Sequence, residues 1–223
     1  MATGFDPTHK GFYHGGDLKG LTRRLDYIQG LGATAVWFAP VFKNKPVQGP
    51  PGQESAGYHG YWVTDFTSVD PHFGTNADFK AFVDAAHARG MKVYMDIIAN
   101  HTADVFYFAE CEGKGECPYR SIADYPYQRR AGTGAAINGG FAGERDGSAA
   151  NFARLTDPNY AYTVKVPAAE RNVKVPAWLN EPIYYHNRGN TTFRGVSSTM
   201  SVFVGVEDVL TEHPGVVAGM IDI

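Results

Sequence analysis

The stretch Lys92-Val93-Tyr94-Met95-Asp96-Ile97-Ile98-Ala99-Asn100-His101-Thr102 decides the fold, because an apolar run ends in a carboxylate, an amide and an imidazole within six positions. Side chains on a strand alternate faces, so Tyr94, Asp96 and Ile98 share one side and Met95 and Ile97 the other. An acid among such residues needs a partner or a use, since burying an unpaired charge is costly. An isolated Asp at a strand end also caps turns, so the flanking sequence has to separate the two readings.

Upstream, a helix-then-strand unit occurs twice. From Asp17, the residues Leu18, Leu21, Leu25, Ile28 and Leu31 recur at helical spacing, with Asp17 as the cap and Gly32 as the stop. The run 34–41, Thr-Ala-Val-Trp-Phe-Ala-Pro-Val, reads as a short strand buried on both faces. Thr75 or Asn76 then starts a helix carrying Phe79, Phe82, Val83 and Ala86, Gly90 ends it, and Lys92 to Ile98 forms the second buried strand. A helix between two buried strands implies a parallel crossover. Ligands in such sheets sit beyond the carboxyl ends of the strands, where Asp96, Asn100 and His101 fall.

The 223 residues are 43% hydrophobic and carry a net charge of −3, which suits one globular body or slightly more. The acidic balance offers no general attraction for nucleic-acid phosphates. No run approaches the ~20 apolar residues needed to span a bilayer, so neither a nucleic acid nor a membrane is expected as a partner. The amino end shows no signal peptide. Cys111 and Cys117 are too few for a tetrahedral thiolate zinc site. They read either as a local disulfide, which points to an oxidising compartment, or as two reduced surface thiols.

From about 103 to 200 the chain is irregular and rich in Gly, Tyr, Asn and Pro, with 131–147 reading as exposed loop and 160–166 and 173–175 as short strands. So long an irregular region is usually functional or a small domain of its own. Glu212-His213-Pro214 then opens a helix through Val216, Val217, Met220 and Ile221. The expected organisation is α/β: 1–102 as part of a barrel domain, 103–204 as an insertion, and 205–223 as the return segment.

Four motifs, in order, resemble the alpha-amylase family of glycoside hydrolases, with its pullulanase and cyclomaltodextrinase relatives. Gly32-Ala33-Thr34-Ala35-Val36-Trp37-Phe38-Ala39-Pro40 resembles the second strand of the family's (β/α)8 TIM-type barrel. The segment from Gly57-Tyr58-His59-Gly60-Tyr61-Trp62 through Phe73-Gly74-Thr75 resembles the loop that follows it. Asp96-Ile97-Ile98-Ala99-Asn100-His101 matches an Asp-x-x-x-Asn-His motif on the third strand, and Gly205-Val206-Glu207-Asp208-Val209-Leu210-Thr211-Glu212 resembles the motif closing the inserted domain B. The resemblance implies a partial barrel with a β-containing domain B and a retaining hydrolase acting on alpha-1,4-glucosidic bonds of starch-like substrates. Asp96 would support the catalytic site, His101 would hydrogen-bond the glucose at the cleavage point, and Tyr61 would stack on it with Trp62 extending the platform. Asn100 and Asp208 match positions that hold a structural calcium in many members, together with further oxygen ligands.

Each assignment has a plainer counterpart: Tyr61 and Trp62 as core aromatics, His101 as a structural histidine, Asn100 as a turn cap and Asp208 as a helix start. Asp65, Asp70 and Asp104 read as loop acids, and Glu207 stands where many relatives carry Pro. Retention needs a nucleophile and an acid/base carboxylate about 5–5.5 Å apart, and the resemblance places both on later strands than this sequence contains. The readings left open are a hydrolase fragment that binds maltooligosaccharide, a short enzyme recruiting Asp96 with Glu207 or Asp208, and a non-catalytic glucan-binding module. Pullulanase or cyclomaltodextrinase specificity is the alternative to amylase. Incomplete strand edges imply self-association, and the family setting implies a secreted or periplasmic location.

Overall fold

The computed structural model describes residues 3–49, 52–114, 117–190 and 206–223. The chain divides into two compact units, Met1–Ile98 and Ala99–Ile223. The boundary falls four residues ahead of the position read from sequence, and 206–223 belongs to the same unit as 99–190. Part of the expected insertion, 191–204, and Gly205 of the closing motif lie outside the described residues.

The first unit runs α1 (Leu18–Arg23), α2 (Leu25–Gly30), β1 (Ala35–Phe38), β2 (Phe42–Asn44), β3 (Val47–Gln48), β4 (Ser55–Ala56), β5 (Val63–Val69), α3 (Asn76–His87) and β6 (Lys92–Met95). Asp17 caps α1 by accepting the Gly20 N–H at 2.6 Å. The single helix expected from the leucine spacing is instead two, because Arg24 leaves the helical region at φ −102°, ψ 3°. The apolar spacing survives the break, and Leu25 is buried in the core. Thr75 begins α3 with a capping box, its hydroxyl accepting Asp78 N–H while the Asp78 carboxylate accepts Thr75 N–H at 3.0 Å.

β1 and β6 pair in parallel, Ala35 to Lys92 through Phe38 to Met95, as the helix between them requires. Val36, Phe38 and Val93 pack on Leu25, Phe82, Ala86 and Met91. The expectation that these strands are buried on both faces is overturned: Trp37 is 76% exposed and its ladder partner Tyr94 52%. Helices cover one face only, and among the described residues β1 and β6 pair with nothing but each other. Both strands are also shorter than read, since the second ends at Met95 and leaves Asp96 just past its carboxyl end.

The second unit holds β7 (His101–Ala103), β8 (Tyr107–Phe108), α4 (Ala149–Phe152), β9 (Val164–Lys165), β10 (Val206–Asp208) and α5 (Pro214–Ile221). β7 pairs with β10 and β8 with β9, both antiparallel. Aromatic burial replaces regular structure as the organising force, with Tyr127, Phe141, Phe152, Tyr160 and Tyr162 packed with Leu155 and Leu210. The Cys111–Cys117 disulfide is formed. Only Val164–Lys165 of the two expected strands in this region is a strand, and 173–175 is not. The 131–147 stretch is likewise more than exposed loop, because Asn138 and Phe141 are buried. Asn138 donates to Tyr127 O and Asp157 O, both at 2.9 Å, and accepts from Thr156 N and Asp157 N.

Glu207 is buried in an ion pair with Lys174, and its carboxylate also accepts the backbone N–H groups of Val105, at 2.5 Å, and Phe106. Lys174 Nζ lies 4.0 Å from the Phe106 ring centroid and 4.3 Å from that of Tyr185. Burial pushes the Glu207 carboxyl up, opposed by Lys174 and the two amides. Such a pair is costly to break from one side, because the remaining charge is stranded away from water. Lys174→Met is therefore expected to lower urea stability by about 3–5 kcal/mol, with Lys174→Met/Glu207→Leu recovering most of it. Equal loss in the single and double variants would contradict this. Thr75→Ala should cost about 1 kcal/mol in the same assay, and an unchanged midpoint would show the capping box to be idle.

Candidate active site

In the first unit the structure brings Tyr61 and Asp96 together, the tyrosine hydroxyl donating to Asp96 Oδ2 at 2.7 Å. Two local features set that meeting. The Asp96 N–H donates to Phe38 O at 3.1 Å, carrying the parallel ladder one bond past β6 and fixing Asp96 at the strand end. On the other side, the 57–62 loop is pressed against β1's continuation. A Cβ on Gly60 would meet Pro40 O at 2.1 Å, and its φ of +86° lies in the left-handed region, so only glycine fits there.

The loop's other anchors are polar. Trp62 N–H donates to Asn44 Oδ1 at 2.6 Å, and Asn44 N–H donates to Asp70 Oδ2 at 2.9 Å. Asp70, read from sequence as a loop acid, is buried and also accepts from His72 N at 2.9 Å. His59 Nδ1 accepts the Tyr61 N–H at 3.0 Å, while the ring stacks near Tyr61 and meets Trp62 edge-on, 4.6 Å between centroids. Burial pushes the His59 imidazole below its usual pKa and keeps it neutral, as an Nδ1 acceptor must be. The hydrogen bond to Asp96 raises the Tyr61 phenol, which keeps it a donor. Tyr61 is 37% exposed. Trp62 is half-buried, its indole taken up in part by His59.

In the second unit Asn100 and Asp208 come together, the Asn100 amide donating to Asp208 Oδ1. The β7–β10 ladder sets this contact: His101 is the register partner of Asp208, and Val209 N–H donates to Asn100 O at 2.8 Å. Asp208 is 2% exposed, its Oδ2 has no hydrogen-bond partner among the described residues, and burial pushes its carboxyl up to about 7. A desolvated carboxylate oxygen without a donor suits a hard cation, and the Asn100 amide can present its oxygen instead by a half-turn that leaves its shape unchanged. These residues therefore fit calcium.

Glu207, one of the acids considered for recruitment into catalysis, is committed to Lys174. Sequence reading missed that pair, because Lys174 lies in a segment without periodicity. It also missed His59 as the Tyr61 anchor and the buried set Glu144, His186 and Glu212.

A family model described as the alpha amylase catalytic domain matches residues 3–152. The chain is 52% identical over 220 residues to an alpha-amylase of Streptomyces lividans, covering 99% of this chain and 23% of that protein. It is 38% identical over 132 residues to neopullulanase 2 of Thermoactinomyces vulgaris, covering 57% of this chain and 20% of that one. An alpha-amylase structure from Malbranchea cinnamomea superposes over the whole chain and 35% of its own, with a TM-score of 0.57 at 24% identity, a likeness of fold. The chain thus spans under a quarter of the length of the Streptomyces and Thermoactinomyces relatives, and on the family match and the near-complete alignment it belongs to the alpha-amylase family of glycoside hydrolases.

Proposed function

We propose that this chain supplies the glucan-holding part of a retaining alpha-glucan hydrolase that cleaves alpha-1,4 bonds in starch-like substrates. The Tyr61–Asp96 hydrogen bond at the carboxyl end of a parallel strand pair carries the reading. Tyr61 would stack on a glucose unit and Trp62 would extend the platform, and the family resemblance assigns to His101, in the second unit, a hydrogen bond to the sugar hydroxyls. Asp96 has a supporting role, holding Tyr61 and accepting from substrate through its remaining lone pairs. The reading leaves the nucleophile and the acid/base to carboxylates outside these 223 residues, in keeping with the 23% of the Streptomyces relative that the chain covers. The likeness to neopullulanase 2 keeps a pullulan-type specificity as the second reading.

Asn100 and Asp208 would hold a structural calcium, with carbonyl and water oxygens completing its shell. The ion would supply charge neutralisation for Asp208, whose Oδ2 meets no donor among the described residues. The disulfide supports an oxidising, extracytoplasmic setting.

The test is calorimetric titration with maltooligosaccharide beside a reducing-sugar assay on soluble starch. Saturable binding without turnover is expected, with Tyr61→Ala weakening affinity by about tenfold, or ~1.4 kcal/mol. Turnover that Asp96→Asn leaves unchanged, or binding indifferent to Tyr61→Ala, would overturn the reading. Binding should also depend on pH. The folded pKa of His59 lies below its unfolded value, so the neutral ring's support is intact at and above 6.5 and is lost as pH falls through the folded value. Affinity should therefore drop in that acid range, and His59→Gln should remove the step. A step that survives in His59→Gln would contradict the role given to that ring.

A further inference from the structure

His186 is 1% exposed, and its backbone is fixed on both sides. Its N–H donates to Asp208 O at 3.2 Å, and its carbonyl accepts the Tyr160 hydroxyl at 2.7 Å. The ring is thereby set between two carboxylates, with Nδ1 3.5 Å from Glu144 Oε1 and Nε2 3.6 Å from Glu212 Oε2. Among the described residues neither ring nitrogen has a hydrogen-bond partner, nor does Glu144 Oε2. A buried imidazole must have at least one nitrogen carrying a proton, and leaving both without partners is rare in folded proteins. One donor atom can be taken from each of Glu144, His186 and Glu212 so that all three lie within 4.8 Å of one another.

We propose that Glu144, His186 and Glu212 form a binding site for a divalent cation of the zinc–cobalt class. One imidazole nitrogen with two carboxylate oxygens is a borderline donor set that suits such ions. It differs from the all-oxygen set that calcium takes from Asn100 and Asp208. Glu212 is a third exposed at its side chain, so water can complete the coordination from that side.

Charge favours the same occupant. Glu144, Glu212 and the neighbouring Asp208 gather three carboxyl groups around one imidazole, and Asp208 interacts electrostatically with both His186 and Glu212. The nearby cation, Arg188, interacts electrostatically with Glu144, whose Oε1 also accepts the Tyr127 hydroxyl, but it donates through Nη1 to Arg120 O and Tyr125 O, its guanidinium lies over the Tyr127 and Tyr160 rings, and among the described residues its Nε and Nη2 make no hydrogen bond. Glu144 precedes α4, His186 follows the 182–184 turn, and Glu212 leads into α5. An ion there would tie three separate segments of the second unit together.

The test is titration of the tag-free full chain, stripped with chelator and then saturated with calcium, with cobalt(II), reading the visible d–d bands. The expected result is saturation at one cobalt per chain, displacement by zinc, at least about tenfold weaker binding in Glu212→Gln, and loss in His186→Gln. Circular dichroism checks each variant's fold. If His186→Gln fails to fold, a zinc-induced shift of the His186 ring resonances in the unaltered chain reads the same contact. No saturable bands in the folded chain, or bands that Glu212→Gln leaves unchanged, would mean an imidazolium held between two carboxylates and no metal site.

Discussion

The parallel pairing of β1 and β6 is the constraint on which the candidate site depends. It aligns two strand ends, and the bond from Asp96 N–H to Phe38 O extends that alignment to the first residue beyond the ladder. The loop after β1 then needs only a close approach at Gly60 to bring Tyr61 onto the same carboxylate. A one-residue slip in the pairing would move Asp96 to the other face. Geometry at the hydroxyl follows from register at the strand.

The two units use different physics. In the first, regular elements bury a compact aliphatic and aromatic cluster, and the site is displayed at the strand ends. In the second, tyrosines and phenylalanines fill the core, and buried polar groups such as Asn138 and the Lys174–Glu207 pair satisfy an irregular backbone. At Asp208 and around His186, by contrast, carboxylate oxygens and ring nitrogens are buried without a hydrogen-bond partner among the described residues. Those are the places proposed to take cations.

The helices of the first unit and its strands β1 and β6 were legible in sequence because their signals are local, whereas β2 to β5 were not read as strands. Asp17 and the Thr75–Asp78 box announce helix starts, Gly90 follows the helix end, and β-branched and aromatic runs mark β1 and β6. The Tyr61 and Asp96 positions were legible through motif order. What escaped was long-range pairing. The break at Arg24 carries no Gly or Pro. The open face at Trp37 depends on which other strands are present, and the burial of Asp70 depends on Asn44, 26 residues away. Lys174 and Glu207 are 33 residues apart in a region with no period, so nothing in either segment signals the other.

The most direct measurement is a crystal structure of the chain with a maltooligosaccharide bound. The expected result is a glucose ring lying on the Tyr61 face with a sugar hydroxyl within hydrogen-bond distance, ~2.6–3.2 Å, of Asp96. Sugar bound elsewhere, with the Tyr61 ring bare and Asp96 untouched, would contradict the role given to this pair.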